Sequence, residues 1–585
     1  MMAWVRRRLT PSVGLLLLTL LPLVTAMWHA WRAGWVPIGD HGLIELRAAD
    51  VLTGNHPWLG TWTSASLSAG VDFNNPGPLL FDLLAPTIKL FGGSAGAVIG
   101  VAVINGGACA IALHQGRRLA GLRGEVLMAG ACLSLGWSMG SEMLIDPWQP
   151  HVLLLPFLAF LACAAASAIG EVRSVPWMVA LASLLVQSHL SFTYVVAIVG
   201  AASLVLCARS VRLIGRADAA RGEAPALEWR RPAIVAAVVA VVCWVQPLYE
   251  QFFGPGEGNL SRLAGASGSS SDMIGAGLGT RLVAHIVAIP PWFLRPSFQD
   301  SIPITSRSED GLVHVAAWPP LALSAVALAV VLAGALVLVH RLRRVGDRAL
   351  AHLVVIVVVG VLGALATMLV LPLGPLGLAP HQMRWLWPLS VLLWWGLAGA
   401  AWRLAPAAWG LHRYRRAIAW GALGLLAAIN LPAHLTDGGP ATFRQYRPVL
   451  SSMIDQLEHV HLDAPAQFDT SNLRFAEPFS GTVLLTLLDN DQPVTVVDEG
   501  FVRQLGEGRR ASGNERWMVR VLERDDALAV DPDDPSVLAY ADGLSDAERD
   551  ELQALSVTGD DPQRQADLEA QRWSVVVAIV LVPIS

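Results

Sequence analysis

DHGLIELRAADVLTGNHPWLGTWTSASLSAGVDFNNPGPLLFDLLAPTIKLFG (Asp40–Gly92) follows directly on the first apolar run of the chain. Its carboxylates stand at the edge of hydrocarbon with no long polar domain around them, and acids at that depth are costly and usually functional. The stretch opens on Asp40 and continues as an amphipathic segment to Leu52-Thr53-Gly54. It then turns at Asn75-Pro76-Gly77-Pro78 and closes with an aromatic-rich apolar segment ending at Phe91-Gly92. The composition agrees with a membrane protein. At 54% hydrophobic and 15% charged residues, with a mean hydropathy of +0.51, a chain of 585 residues is not an ordinary soluble globule.

Counting runs able to cross about 30 Å of hydrocarbon gives roughly eleven spans. They lie near 12–35, 94–115, 125–141, 151–169, 176–189, 191–208, 232–252, 313–339, 351–371, 385–402 and 416–434. The expected fold class is therefore a polytopic α-helical membrane protein. Placing the N-terminus and alternate loops in the cytoplasm collects 21 of the 29 Lys and Arg that precede residue 435. By the positive-inside rule this puts the N-terminus inside and the C-terminus outside a bacterial cytoplasmic membrane. Of the 41 basic residues only Lys89 is a lysine, an association with GC-rich bacterial genomes. Cys109, Cys132, Cys163, Cys207 and Cys243 all fall in apolar segments, so no disulfide framework and no Cys-based zinc site is on offer.

At residue 435 the character changes. The last part holds 27 acidic and 12 basic residues, against 19 and 29 before it, and such a shift marks a domain boundary. Two domains are expected: 1–434, a membrane domain with outer loops 36–93 and 253–312, and 435–585, a small extracytoplasmic α/β domain. In the latter VLSSMIDQLEHV reads as an amphipathic helix, AQFDT and PVTVV as strands, GTVLLTLLDN as a helical or apolar segment, and Trp573–Ile584 as a buried strand too short to span. The acidic stretch 521–570 reads as partly loose loop. In the loop 253–312, GPGEGNLSRLAGASGSSSD reads as flexible and RLVAHIVAIPPWFLRPSF as an interfacial helix broken by proline.

The order of features in 36–92 resembles the first outer loop of GT-C class, polyprenyl-phosphate-sugar-dependent membrane glycosyltransferases, of the protein-mannosyltransferase and aminoarabinose transferase type. The resemblance takes in the multi-span layout and does not reach 435–585. It implies a GT-C-like fold and a catalytic carboxylate just beyond the first span, where Asp40 stands. The class has a second acid directly after it. This chain has His41 there and its next acid is Glu45, so Asp40 and Glu45 form the expected catalytic pair, Asp40 leading. A general base is needed to deprotonate the acceptor hydroxyl, and donors are needed to hold the leaving phosphate. The plain alternative is that Asp40 caps the following helix, with Glu45 in its first turn.

Binding candidates lie at the outer ends of the spans. Arg384, with His381 and Gln382, is the foremost: a guanidinium fork holds two phosphate oxygens at once, although an interfacial anchor is the plainer role. Lys89 is a second phosphate candidate. The resembled class often carries a further acid in a later outer loop, and Asp146 fits, unless Asp-Pro-Trp is only punctuation before a helix. His189 and Glu250 sit near the apolar edge where cavity linings are found, and Asn75 belongs to a turn whose prolines are more simply structural.

No P-loop, no GxGxxG after a strand and no HExxH zinc pair occurs. The sequence points to no certain cofactor, and a divalent metal at Asp40, Glu45 and Asp146 stays open. The function expected is transfer of a sugar from a polyprenyl-phosphate donor to a cell-envelope glycan, glycolipid or protein, in cell-wall biogenesis of an actinobacterial type. Membrane lipids are partners and nucleic acid is not. The alternative is a transporter or flippase of lipid-linked substrate, or a noncatalytic envelope-assembly protein. Transporters usually show internal repeats and helices broken at mid-membrane, which are not evident here.

Overall fold

The expected spans are largely helical where they are described, and the lengths of those helices decide which can cross a membrane. The computed structural model describes residues 11–221, 229–266, 273–288, 306–307, 313–314, 320–373, 380–405, 414–435, 440, 443–471, 473 and 477–584. Among these, eight stretches are long and apolar enough to cross a membrane: 11–32, 93–120, 149–168, 190–220, 230–253, 321–344, 348–370 and 415–433. Three of the expected spans fall outside that set. Leu122–Leu144 breaks at Gly140, whose φ of 72° is not helical. Val175–Ser188 has 14 residues, about 21 Å of helix, well short of a hydrocarbon core. Leu386–Leu404 forms a helix of 19 residues. The span expected at 313–339 starts later, at Leu321, because Val313–His314 pairs antiparallel with Ser306–Arg307.

The chain divides into two units. The first comprises Met1–Ala30, Trp58–Leu83 and Val98–Asp437. At its centre runs Leu154–Ala168, with every residue from Leu154 to Ala168 buried. Around it the helices carry long apolar side chains on their outer faces, such as Val205, Val241 and Val330, each about two-thirds exposed. Such faces would associate or aggregate in water and are at home in lipid. Buried polar side chains tie helix to helix: Ser203 Oγ donates to the Ala164 carbonyl at 2.8 Å, Trp395 Nε1 to Ser134 Oγ at 3.0 Å, and Asn105 Nδ2 to the Leu144 carbonyl at 2.8 Å.

The second unit comprises Trp31–Pro57, Leu84–Ala97 and Gly438–Ser585. Its sheet has five strands, β1 (Ala466–Asp469), β2 (Val494–Val496), β3 (Trp517–Glu523), β4 (Val537–Ala541) and β5 (Val577–Pro583), in the order β2-β1-β3-β5-β4. β1 is parallel to β2 and β3, and β5 is antiparallel to β3 and β4. Ile579, Val519 and Phe468 of the sheet share a core with Val449 and Leu484 of the helices, and with Val36, Ile38 and Leu46 of the early segment.

The strands read at AQFDT and PVTVV and the helix at GTVLLTLLDN are found as expected. The acidic stretch 521–570 is ordered instead of loose. It contains the end of β3, β4 and three helices, Asp525–Leu528, Asp546–Thr558 and the start of Pro562–Val575, the second opened by a Ser545/Glu548 capping box. Residues 573–575 belong to that second helix, so the final strand begins at Val577. Part of the segment expected to be flexible, Asn259–Ala266, is helical. The proline-broken part of 281–298 lies outside the described residues.

Candidate active site

Asp40 is the first residue of the helix Asp40–Ala49, and the N-cap is Gly39, not Asp40. Gly39 has φ 61° and ψ −125°, a backbone conformation that glycine adopts freely and other residues resist. The cap role considered for Asp40 is thus filled by the glycine before it, while the carboxylate still gains from the helix dipole. Within the run Trp35–Gly42, Asp40 alone is exposed. His41, at the position of the second acid in the resembled class, is buried edge-on to Trp35, with ring centroids 5.6 Å apart.

Glu45 does not turn back toward Asp40. Five residues on a helix stand about 140° apart in rotation, and Glu45 accordingly lies on the buried face at 2% exposure. Ser94 Oγ donates to its Oε2 at 3.0 Å. Burial pushes the Glu45 carboxyl up to about 8, a shift that the Ser94 hydroxyl only partly opposes and the Asp489 charge reinforces. At neutral pH Glu45 is therefore a protonated acid. At the far end of the same helix, Arg47 and Arg509 share Asp50. Arg47 Nη1 lies 2.5 Å from Asp50 Oδ2, and Arg509 reaches Oδ2 and Oδ1 at 2.6 and 2.8 Å.

The first unit gathers a second group. Asp146, at 0% side-chain exposure, accepts from the Trp148 backbone N–H at 2.8 Å through Oδ1 and meets His151 Nδ1 at 2.7 Å through Oδ2. The Trp148 ring then packs against His151, against His381 at 5.0 Å, and under the Arg384 guanidinium, 5.7 Å from the ring centroid. Arg384 is 2% exposed, and its Nε and Nη1 have no hydrogen-bond acceptor among the described residues. Burial pulls the guanidinium down to about 9, with Asp146 acting the other way, so it stays cationic at neutral pH. Gln382 lies one turn before Trp385 and accepts that indole N–H through its carbonyl at 3.0 Å. Trp148 and His151 complete this group. The signal available for them was the i, i+5 spacing of Asp146 and His151 around an aromatic residue.

The remaining candidates are engaged in tying segments together. Asn75 donates to Thr61 Oγ1 at 2.9 Å and accepts from the Leu190 N–H at 3.1 Å. The turn it opens needs Gly77, because a Cβ there would fall 2.2 Å from Gln187 Oε1 and 2.7 Å from the Pro247 ring. Glu250 accepts from the Asn259 N–H at 3.0 Å, at the start of the helix Asn259–Ala266. His189 pairs with Ser191 Oγ at 2.7 Å, and Lys89 donates to the Val51 carbonyl. Among the described residues, no group of three or more His, Cys, Asp or Glu is arranged to hold a metal ion.

The fold and these sites describe a polytopic α-helical membrane protein with a small α/β unit. No family model matches the chain, and no curated protein does. Among solved structures the chain is similar to ArnT from Cupriavidus metallidurans in the apo state, at 13% identity over 89% of this chain and 95% of that one, with a TM-score of 0.48. It is also similar to the Archaeoglobus fulgidus oligosaccharyltransferase in complex with zinc and sulfate, at 10% identity over 86% of this chain and 67% of that one, with a TM-score of 0.40. The same enzyme tethered to an acceptor peptide gives 12% identity, 87% and 68% coverage and a TM-score of 0.34.

Proposed function

We propose that the protein is a membrane glycosyltransferase that moves a sugar from a polyprenyl-phosphate donor to a cell-envelope acceptor on the outer face of the cytoplasmic membrane. The observation that carries this reading is Arg384, a buried cation with two N–H donors lacking an acceptor among the described residues. Such a group is costly to leave unpaired and is at rest against an anion. Phosphate suits it, since the planar fork takes two oxygens together and a departing polyprenyl phosphate needs that neutralisation. His381 and Gln382 flank it in sequence as further polar contacts. Asp40, exposed on a fixed helix start, is the proposed base for the acceptor hydroxyl. The asymmetry of arginines along the sequence supports the outer-face orientation.

The test is transfer by purified protein in detergent, supplied with a synthetic polyprenyl-phosphate sugar and a crude envelope acceptor. Consumption of the donor without an opposing compartment is expected, whereas a flippase needs two leaflets. Arg384→Lys should retain part of the activity and Arg384→Ala little, with the donor KM rising more than the acceptor KM. Full activity in Arg384→Ala would return Arg384 to an interfacial anchor.

A further inference from the structure

The helix that begins at Asp40 is gripped at both ends by residues from the last quarter of the chain, all within the second unit. At its start, the Gly39 N–H donates to the Pro478 carbonyl at 2.9 Å and Thr482 Oγ1 donates to the Pro37 carbonyl at 2.7 Å. One turn on, the helix crosses Ser480–Asp489 backbone against backbone. A Cβ on Gly42 would lie 2.3 Å from the Gly481 carbonyl oxygen, and a Cβ on Gly481 would lie 1.9 Å from that of Gly39. At its end, Arg509 holds Asp50 with two hydrogen bonds, and Arg47 Nη1 donates to the Leu505 carbonyl at 2.7 Å.

We propose that the C-terminal part of the chain is a clamp that fixes the Asp40 carboxylate, with Arg509 and the Gly42–Gly481 crossing as its positioning elements. This rests on the reading of Asp40 as the base. A helix of ten residues, about 15 Å long, is rigid on that scale, so holding Asp50 and Gly39 holds the backbone of Asp40. The exposure pattern has the same sense: the neighbours on both sides are buried while the Asp40 side chain is presented. Packing alone gives no reason for two guanidiniums on one buried carboxylate. A buried ion pair adds little net stability over apolar residues of the same volume, and its attested use is to set register. A base must be held within about 0.5 Å to be effective, and misplacement by about 1 Å costs on the order of 100-fold in rate.

The experiment compares wild type, Arg509→Lys and Arg509→Gln, with Gly481→Ala as an independent second lesion, in the full-length protein. Amide hydrogen exchange of 39–49 is read against that of β1 and β3, alongside kcat and KM for sugar transfer. Expected for Arg509→Gln is exchange about tenfold faster in 39–49 with the strands unchanged, and kcat down about tenfold at constant donor KM. Arg509→Lys should fall between. Unchanged exchange in 39–49 in both Arg509→Gln and Gly481→Ala overturns the clamp, and so does loosening that extends equally to β1 and β3. Faster exchange confined to 39–49 with full transfer supports the clamp as a contact and removes Asp40 from the reaction, which separates the two readings.

Discussion

Asp146 and His151 meet at 2.7 Å, Oδ2 to Nδ1, with neither side chain reaching solvent. The other oxygen of the same carboxylate holds the Trp148 N–H, so one acid fixes both the histidine and the indole on which Arg384 rests. Asp146→Ala removes the acceptor of the His151 ring and of the Trp148 N–H, and a buried donor that loses its acceptor costs about 1–3 kcal/mol. The detergent-solubilised variant should melt several degrees below wild type. Asp146→Asn keeps an acceptor for the Trp148 N–H and should lie between. An unchanged melting temperature in the alanine variant would mean that the pair contributes nothing to holding Trp148.

Orientation is open to a direct check. Cysteines at Ala220 and Ala547, both exposed positions, should differ in their reaction with a membrane-impermeant thiol reagent applied to intact cells. The positive-inside rule expects labelling at 547 and none at 220. Labelling at 220 alone would invert the topology and put the C-terminal unit in the cytoplasm.

The helices and strands were largely readable because their signals are local. Apolar runs of the right length gave eight of the eleven expected spans, and short alternating or apolar segments gave Ala466–Asp469 and Val494–Val496. Net charge misled at 521–570, where the Ser545/Glu548 capping box was a better guide than acidity. Asp40 and Glu45 were expected to pair, yet the helical period alone separates them. The grip of Arg509 on Asp50, or of Gly481 on Gly42, joins residues too far apart in sequence for any spacing rule. Likewise the Arg384–Trp148 contact depends on which helices pack together, which no single segment encodes.

Glu45 should make stability depend on pH in an unusual direction for an acid. Its folded carboxyl is raised to about 8 from an ordinary value of 4.5, chiefly by burial. Between those values the unfolded chain releases the proton while the folded one keeps it, so the folded state binds more protons and stability falls as pH rises. Below about 4.5 the penalty vanishes, and above about 8 it is complete. Glu45→Gln mimics the protonated side chain and should remove this slope. Its melting temperature should match wild type at pH 5 and exceed it at pH 8.5. Parallel curves for the two proteins would show that the burial of Glu45 carries no such cost.

Asp40→Asn is the decisive substitution for the proposed reaction. Gly39 is the N-cap and Asp40 is exposed, so the change keeps the size of the side chain and weakens a favourable charge in the first helical turn, roughly 0.3–1 kcal/mol. Folding and expression should therefore hold, and hydrogen exchange of 39–49 should stay as in wild type. The proton acceptor is gone, however, and sugar transfer should drop by about 100-fold or more, with the donor KM little changed, because the base acts on the acceptor hydroxyl. Glu45→Gln in the same assay should transfer near the wild-type rate at pH 7, since the native side chain is already protonated there. A wild-type rate in Asp40→Asn would remove the base from the scheme. A large loss in Glu45→Gln with full activity in Asp40→Asn would move the role to the buried acid.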